Sequence, residues 1–185
     1  MLIFEQITSE NTDVTLKLAL EKAKALSTDI VLSTTTGASA LAAIKQADAM
    51  DYQGRIIVVS HVWGMKVPGE NELSDESRAK LEDAGAIIIS AAHTLSGVER
   101  AMSGKFGGVY PVEIIAHTLR MFCQGVKVCV EISSMALDAG AVKQPKPIVA
   151  LGGTGRGLDT ACVITPGYSA KIFETRIHEI LCKPY

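Results

Sequence analysis

Residues 56–59 read Ile-Ile-Val-Val, four β-branched side chains in succession with no polar residue between them. A strand with one wet face alternates apolar and polar positions, so an unbroken run of this kind reports burial on both faces and parallel pairing. Ile30-Val31-Leu32, Ala86-Ile87-Ile88-Ile89 and Pro147-Ile148-Val149-Ala150-Leu151 have the same character. The stretches between them are helical in pattern. Ser9 to Asp13 offer several N-cap oxygens, and Val14, Leu18, Ala19, Ala23 and Leu26 recur behind them at helical spacing, predicting a helix from about Thr12 to Leu26. Ala38 to Ala47 is rich in helix formers. Ser74 can cap a helix that has Asp75 and Glu76 in its first turn and Gly85 at its close. Strand, helix and strand thus alternate, which predicts an α/β fold with a mostly parallel sheet, a three-layer α/β/α sandwich formed by residues 1–185 as one domain.

The remaining segments are less regular. His61 to Leu73 holds Gly64, Pro68 and Gly69 without a period and reads as a loop over the strand ends. Ser96-Gly97-Val98-Glu99 has capping-box spacing, and Pro111 can open another helix that stops near Gly125. Val126, Val128, Val130 and Ile132 alternate as in a strand, whereas Ser134 to Ala139 favours helix, so periodicity leaves both assignments open. Thr160 to Thr165 reads as a last strand.

Composition excludes several functions. Eighteen Lys plus Arg against 20 Asp plus Glu give a net charge of −2, which argues against nucleic acid as a partner. The 48% apolar and 21% charged residues suit a compact domain with an ample core. No apolar stretch approaches the ~20 residues of a membrane helix, and Met1-Leu2-Ile3-Phe4-Glu5 has no export pattern. Cys123, Cys129, Cys162 and Cys182 form no Cys-x-x-Cys pair, so reduced thiols in a cytoplasmic protein are expected and no metal site is.

Ligands of open parallel sheets bind beyond the carboxyl ends of the strands, where loops and helix N-termini converge. Four such ends carry the candidate residues. The first is Thr34-Thr35-Thr36-Gly37-Ala38-Ser39, hydroxyls and a glycine ahead of a helix whose first N–H groups lack intrahelical partners. It is suited to a phosphate, and equally to plain helix capping. It is not a Walker loop, since the Gly-Lys-Ser/Thr ending is missing. The second and third ends carry His61 with Trp63 and Gly64, and His93. Imidazole titrates near neutral pH, so either histidine suits proton transfer or a ligand hydrogen bond, and Trp63 suits either stacking on an aromatic ring or a place in the core. The fourth is Gly152-Gly153-Thr154-Gly155-Arg156-Gly157. Its glycines can fold over a ligand and Arg156 can fork onto a phosphate. His117 lies within a predicted helix and His178 near the C-terminus, Glu131 and Asp138 are too far apart for adjacent helical turns, and no nucleophile stands out.

The two loops in their strand contexts resemble the C-terminal α/β domain of pyruvate kinase and its stand-alone, largely uncharacterised relatives. Ile30 to Ala40 is similar to the phosphate loop of that domain, and Ile148 to Gly152 with Gly155 to Thr160 to its last glycine loop. In many pyruvate kinases these loops hold an allosteric sugar bisphosphate, although the first loop here has no basic residue. The stand-alone relatives are resembled more closely, through His61-Val62-Trp63-Gly64, Pro68-Gly69-Glu70, His93 to Arg100 and the Ile180 to Pro184 ending. Those relatives are associated with flavin mononucleotide (FMN). The resemblance therefore implies a phosphate held by Thr34, Thr35, Thr36, Gly37 and Ser39. It places the flavin ring near His61, Trp63, Gly64 and His93, and Thr154, Gly155, Arg156 and Gly157 as the cover. It also implies a helix over Val126 to Gly140. The catalytic barrel of pyruvate kinase alone needs ~250 residues, so kinase activity is excluded. The expectation is a binder of a phosphorylated small molecule, foremost FMN, with flavin redox chemistry using His61 or His93 as proton donor. The alternative is a non-catalytic sensor or regulatory module whose assembly into homo-oligomers responds to a phosphorylated metabolite. A phosphotransfer enzyme ranks last, since no metal-binding carboxylate cluster stands in the sequence.

Overall fold

The computed structural model describes all residues, Met1–Tyr185. Its elements are β1 (Leu2–Phe4), α1 (Asn11–Leu26), β2 (Ile30–Ser33), α2 (Ala38–Ala49), β3 (Ile56–Ser60), α3 (Asp75–Asp83) and β4 (Ile87–Ser90). The second half adds α4 (Gly97–Phe106), α5 (Pro111–Arg120), α6 (Gln124–Asp138), β5 (Ile148–Gly152), β6 (Thr160–Thr165), a 3-10 turn (Ser169–Glu174) and β7 (Arg176–Pro184). The strands form one seven-stranded sheet in the order β1-β7-β6-β5-β2-β3-β4. Only β6 runs against its neighbours; β1 with β7, β5 with β2, β2 with β3 and β3 with β4 are parallel.

The unbroken apolar runs are explained by two cores. Ile30 and Leu32 point into one, with Leu16 and Leu20 of α1, Ala40 and Ala43 of α2 and Leu81 of α3. Val31, between them, points into the other with Ile57, Val59 and Ile132 of α6. Consecutive side chains are thus claimed by opposite layers, and no position from Ile30 to Leu32 is left for a polar residue. Helix α6 settles the open assignment. Its residues from Gly125 to Leu137 are buried apart from Val128, so its side chains are apolar around most of the circumference and its period is blurred. Gly140, at φ +73°, stands where the chain turns away after it.

Local signals fail where a distant partner takes the group. No side chain caps α1: the Thr12 hydroxyl accepts the Leu158 N–H at 3.0 Å instead. The Ser96–Glu99 capping box does not close at α4, because the Glu99 carboxylate accepts the Val112 N–H of α5 at 2.7 Å. Helix α5 stops at Arg120, ahead of Gly125, and α6 begins at Gln124 with the Cys123 thiol accepting the Val126 N–H. The edge strand β1 and the long β7, which lies between β1 and β6, had no strong local signature.

Strands β2 and β5 are neighbours, yet the chain leaves β2 toward β3 and leaves β5 toward β6. Such a reversal of direction at the carboxyl edge of the sheet is the usual ligand position in folds of this kind.

Candidate functional site

The threonine loop follows β2 at that edge. Thr34 is buried, and its Oγ1 accepts the Gly37 N–H and lies within hydrogen-bond distance of the Ser39 hydroxyl, each at 3.1 Å. These bonds brace the turn and leave α2 without a side-chain cap, so the Thr34 and Ser39 hydroxyls are largely spent within the loop. Gly37 has φ +97°, and a Cβ there would stand 3.0 Å from Leu73 Cδ1. The loop therefore packs against the end of the His61–Leu73 segment. By contrast the Thr35 and Thr36 hydroxyls have no protein partner, and neither do the backbone N–H groups of Ala38, Ser39 and Ala40 at the start of α2. Free donors and a helix N-terminus coincide there, a setting that favours an anion.

The glycine loop emerges beside it from β5. Asp159, 2% exposed, organises this loop: Oδ2 accepts the Thr154 N–H at 2.8 Å and Oδ1 accepts the Thr160 hydroxyl at 2.7 Å. Together with the bond to Thr12, this leaves Thr154, Gly155, Arg156 and Gly157 as an exposed tip on fixed ends. The Arg156 guanidinium makes no ion pair.

His61 and His93 leave β3 and β4, adjacent parallel strands, and their ring centroids lie 5.6 Å apart at 51°. His61 Nδ1 is 2.5 Å from Glu72 Oε2, and Lys66 pairs with the other oxygen of that carboxylate. Hydrogen bonds from Lys66 and His61 hold the Glu72 carboxyl below its usual range. Burial lowers the pKa of His93, opposed by the charge of Glu131 and aided by His61, Lys127 and Arg100. Trp63 is 52% exposed and so is not a core residue; Gly64, beside it, has φ +73° and donates its N–H to the Glu70 carbonyl at 2.8 Å.

The structure thus brings the four predicted loops to one edge. It also adds residues the sequence did not single out. Glu72 follows a loop without a period, and Asp159 sits just beyond the glycines. Lys127 and Glu131 have helical i,i+4 spacing, but nothing local says that their helix is buried. The edge is an open surface. Clefts of about 450 and 260 Å³ lie elsewhere, one along β4 beside Arg55 and Lys143 and one between Phe122 and Ile177, and the four loops' candidate residues line neither. No three His, Cys, Asp or Glu groups converge in a metal-binding arrangement. No helix is long and apolar enough to cross a membrane.

The family model "Pyruvate kinase, alpha/beta domain" matches residues 13–164. A crystal structure of O-ureido-L-serine synthase is similar over 69% of this chain and 48% of that one, at 16% identity and a TM-score of 0.31. The chain therefore spans about half the length of that solved structure, and a likeness this loose carries no argument.

Proposed function

This chain belongs to the pyruvate kinase alpha/beta domain family, and from that premise we propose that it binds a phosphorylated small molecule, foremost FMN, at the carboxyl edge of its sheet. The observation that carries the reading is the row of unpaired donors at the start of α2, the Thr35 and Thr36 hydroxyls with the N–H groups of Ala38, Ser39 and Ala40, where the chain's direction reverses between β2 and β5. Such donors suit a phosphate without help from lysine. The exposed Trp63 and the His61–His93 pair supply a wall for a planar ring, and the tip Thr154–Gly157 supplies a cover with one free guanidinium.

A bound flavin would supply electron transfer. The chain's own part is to hold the phosphate, orient the ring and donate or accept a proton at His61 or His93. The second reading is a non-catalytic sensor or regulatory module whose homo-oligomeric assembly responds to the ligand. It is favoured by the family match, which falls on the alpha/beta domain of pyruvate kinase and not on its catalytic barrel. A cytoplasmic location belongs to both readings, four unpaired cysteines suiting a reducing compartment.

Titration with FMN and with riboflavin, followed by the fluorescence of the only tryptophan, tests the site. Saturable quenching of Trp63, with FMN bound about tenfold or more tightly than riboflavin, is the expected result, given charge-assisted bonds to the phosphate. Equal affinity for the two flavins, or no saturation, would remove the phosphate from the threonine loop. Turnover with a nicotinamide nucleotide then favours the enzyme, and a ligand-dependent change in mass without turnover favours the sensor.

A further inference from the structure

Helix α6 carries two charges where its surroundings call for none. Lys127 is 4% exposed and Glu131 5%, one helical turn apart, on a helix whose other inward residues are apolar or small. They form an ion pair. Burying such a pair removes both ions from water at a cost that their mutual attraction rarely exceeds, and an apolar pair of similar size often serves stability as well or better. Stability of α6 is therefore a poor account of why these two side chains stand there.

Their other contacts point to the mouth of the site. Glu131 Oε1 accepts the Leu95 N–H at 3.0 Å, while Oε2 takes the Lys127 ammonium. Leu95, 2% exposed, anchors the segment between β4 and α4, and His93 lies two residues before it. The charged groups around the His93 ring come from each neighbouring element: His61 at the end of β3, Arg100 on α4, and Glu131 with Lys127 on α6. Glu131 is the one acid among them.

We propose that Glu131 is the positioning residue of His93. Its carboxylate pins the β4–α4 segment through Leu95 so that the His93 ring faces His61 across the strand ends, and it supplies the negative charge against which His93 takes up a proton. Lys127 opposes that charge and moderates it. The consequence at the site is that His93, which burial holds below the usual histidine range and Glu131 draws back up, becomes a proton carrier that donates a hydrogen bond to an anionic ligand when protonated. This last step rests on the binding reading above; the pinning and the charge coupling do not.

The test compares Glu131→Gln with Lys127→Met in the ligand-free protein, following the His93 ring by NMR as pH is varied. Glu131→Gln keeps an acceptor for the Leu95 N–H and removes the negative charge, so the His93 titration midpoint moves down. Lys127→Met removes the opposing cation, so the midpoint moves up. A merely structural pair gives no reason for opposite signs; shifts in one direction, or none, overturn the proposal. If either single variant does not fold, the double variant Lys127→Met/Glu131→Gln leaves no buried charge on α6 and retains the acceptor. Its His93 midpoint also moves down, because the acid is the stronger influence of the two, and an unmoved midpoint overturns the proposal. FMN titrations of the same variants separate the two claims. When His93 sits in the site, FMN affinity falls as pH rises through the His93 midpoint, and that fall tracks the variants. Midpoints that shift as expected while FMN affinity ignores them uphold the positioning role and remove His93 from the ligand site.

Discussion

The Leu158 N–H donates to Thr12 Oγ1 at 3.0 Å across 146 residues of chain. The bond joins the first turn of α1 to the base of the glycine loop, so the exposed tip Thr154–Gly157 moves only as far as α1 allows. A tip of this kind, exposed on fixed ends, can cover a ligand without a large entropic cost of closure.

Thr12→Val removes that acceptor and leaves the Leu158 N–H, on a residue 1% exposed, without a partner. Unsatisfied amides cost about 1–2 kcal/mol, so the denaturation midpoint falls by that equivalent. Trypsin cleavage after Arg156 accelerates in the variant, because the tip lies between the two anchors that are no longer both present. An unchanged cleavage rate would show that Asp159 alone holds the loop.

Thr36→Glu places a negative charge at an exposed position beside the free donors of α2. FMN binding weakens about tenfold or more through like-charge repulsion, while riboflavin binding stays close to that of the original protein. Unfolding stability changes by less than about 0.5 kcal/mol, as for most surface substitutions. Retained FMN affinity in the folded variant would mean that the phosphate is anchored elsewhere.

Asp29 lies at the opposite end of β2 and sets an acid limit. Burial raises its pKa, but hydrogen bonds from Arg55 and Lys146 outweigh this and hold the carboxyl at about 2, against 3.8 for the free group. A carboxyl depressed in the folded state contributes stability in full above pH 3.8 and loses it as pH falls toward 2. The contribution is about 2 kcal/mol. Urea unfolding from pH 5 down to 2 should show this loss, and Asp29→Asn should flatten it while lowering stability at neutral pH.

Gly125 fills a place where no side chain fits. A Cβ there would stand 2.0 Å from Thr160 Oγ1 and 2.4 Å from Thr160 Cβ, so α6 approaches the sheet at contact distance beside the glycine loop. Gly125→Ala lowers stability by about 3 kcal/mol, read as a shifted denaturation midpoint with an unchanged slope. A variant as stable as the original would mean that α6 slides easily over β6.

Much of the fold was legible locally. Ile56 to Val59 announced a doubly covered strand because β-branched runs suit only that place, and Ser74 announced the start of α3, where its hydroxyl accepts the Ser77 N–H at 3.2 Å. The site was legible as a set of loops, not as an arrangement. Thr34 to Ser39 looked uniform in sequence, whereas folding divides it into hydroxyls that brace the turn and hydroxyls left free. Trp63 was open between stacking and core until the His61–Leu73 segment placed it at the surface.

What the sequence by itself determined was the order and kind of most elements and the loops at their carboxyl ends, because side-chain period, β-branching and turn chemistry act over a few residues. The tertiary structure alone decided which partner each polar group finds. It set β5 beside β2 and so brought the glycine loop next to the threonine loop, drew Glu99 from its own helix to α5, gave the Thr12 hydroxyl to Leu158, and buried Lys127 with Glu131 under the β4–α4 segment. Each of these joins segments that meet only when the sheet forms, and no local pattern encodes a distance that depends on the path of the whole chain.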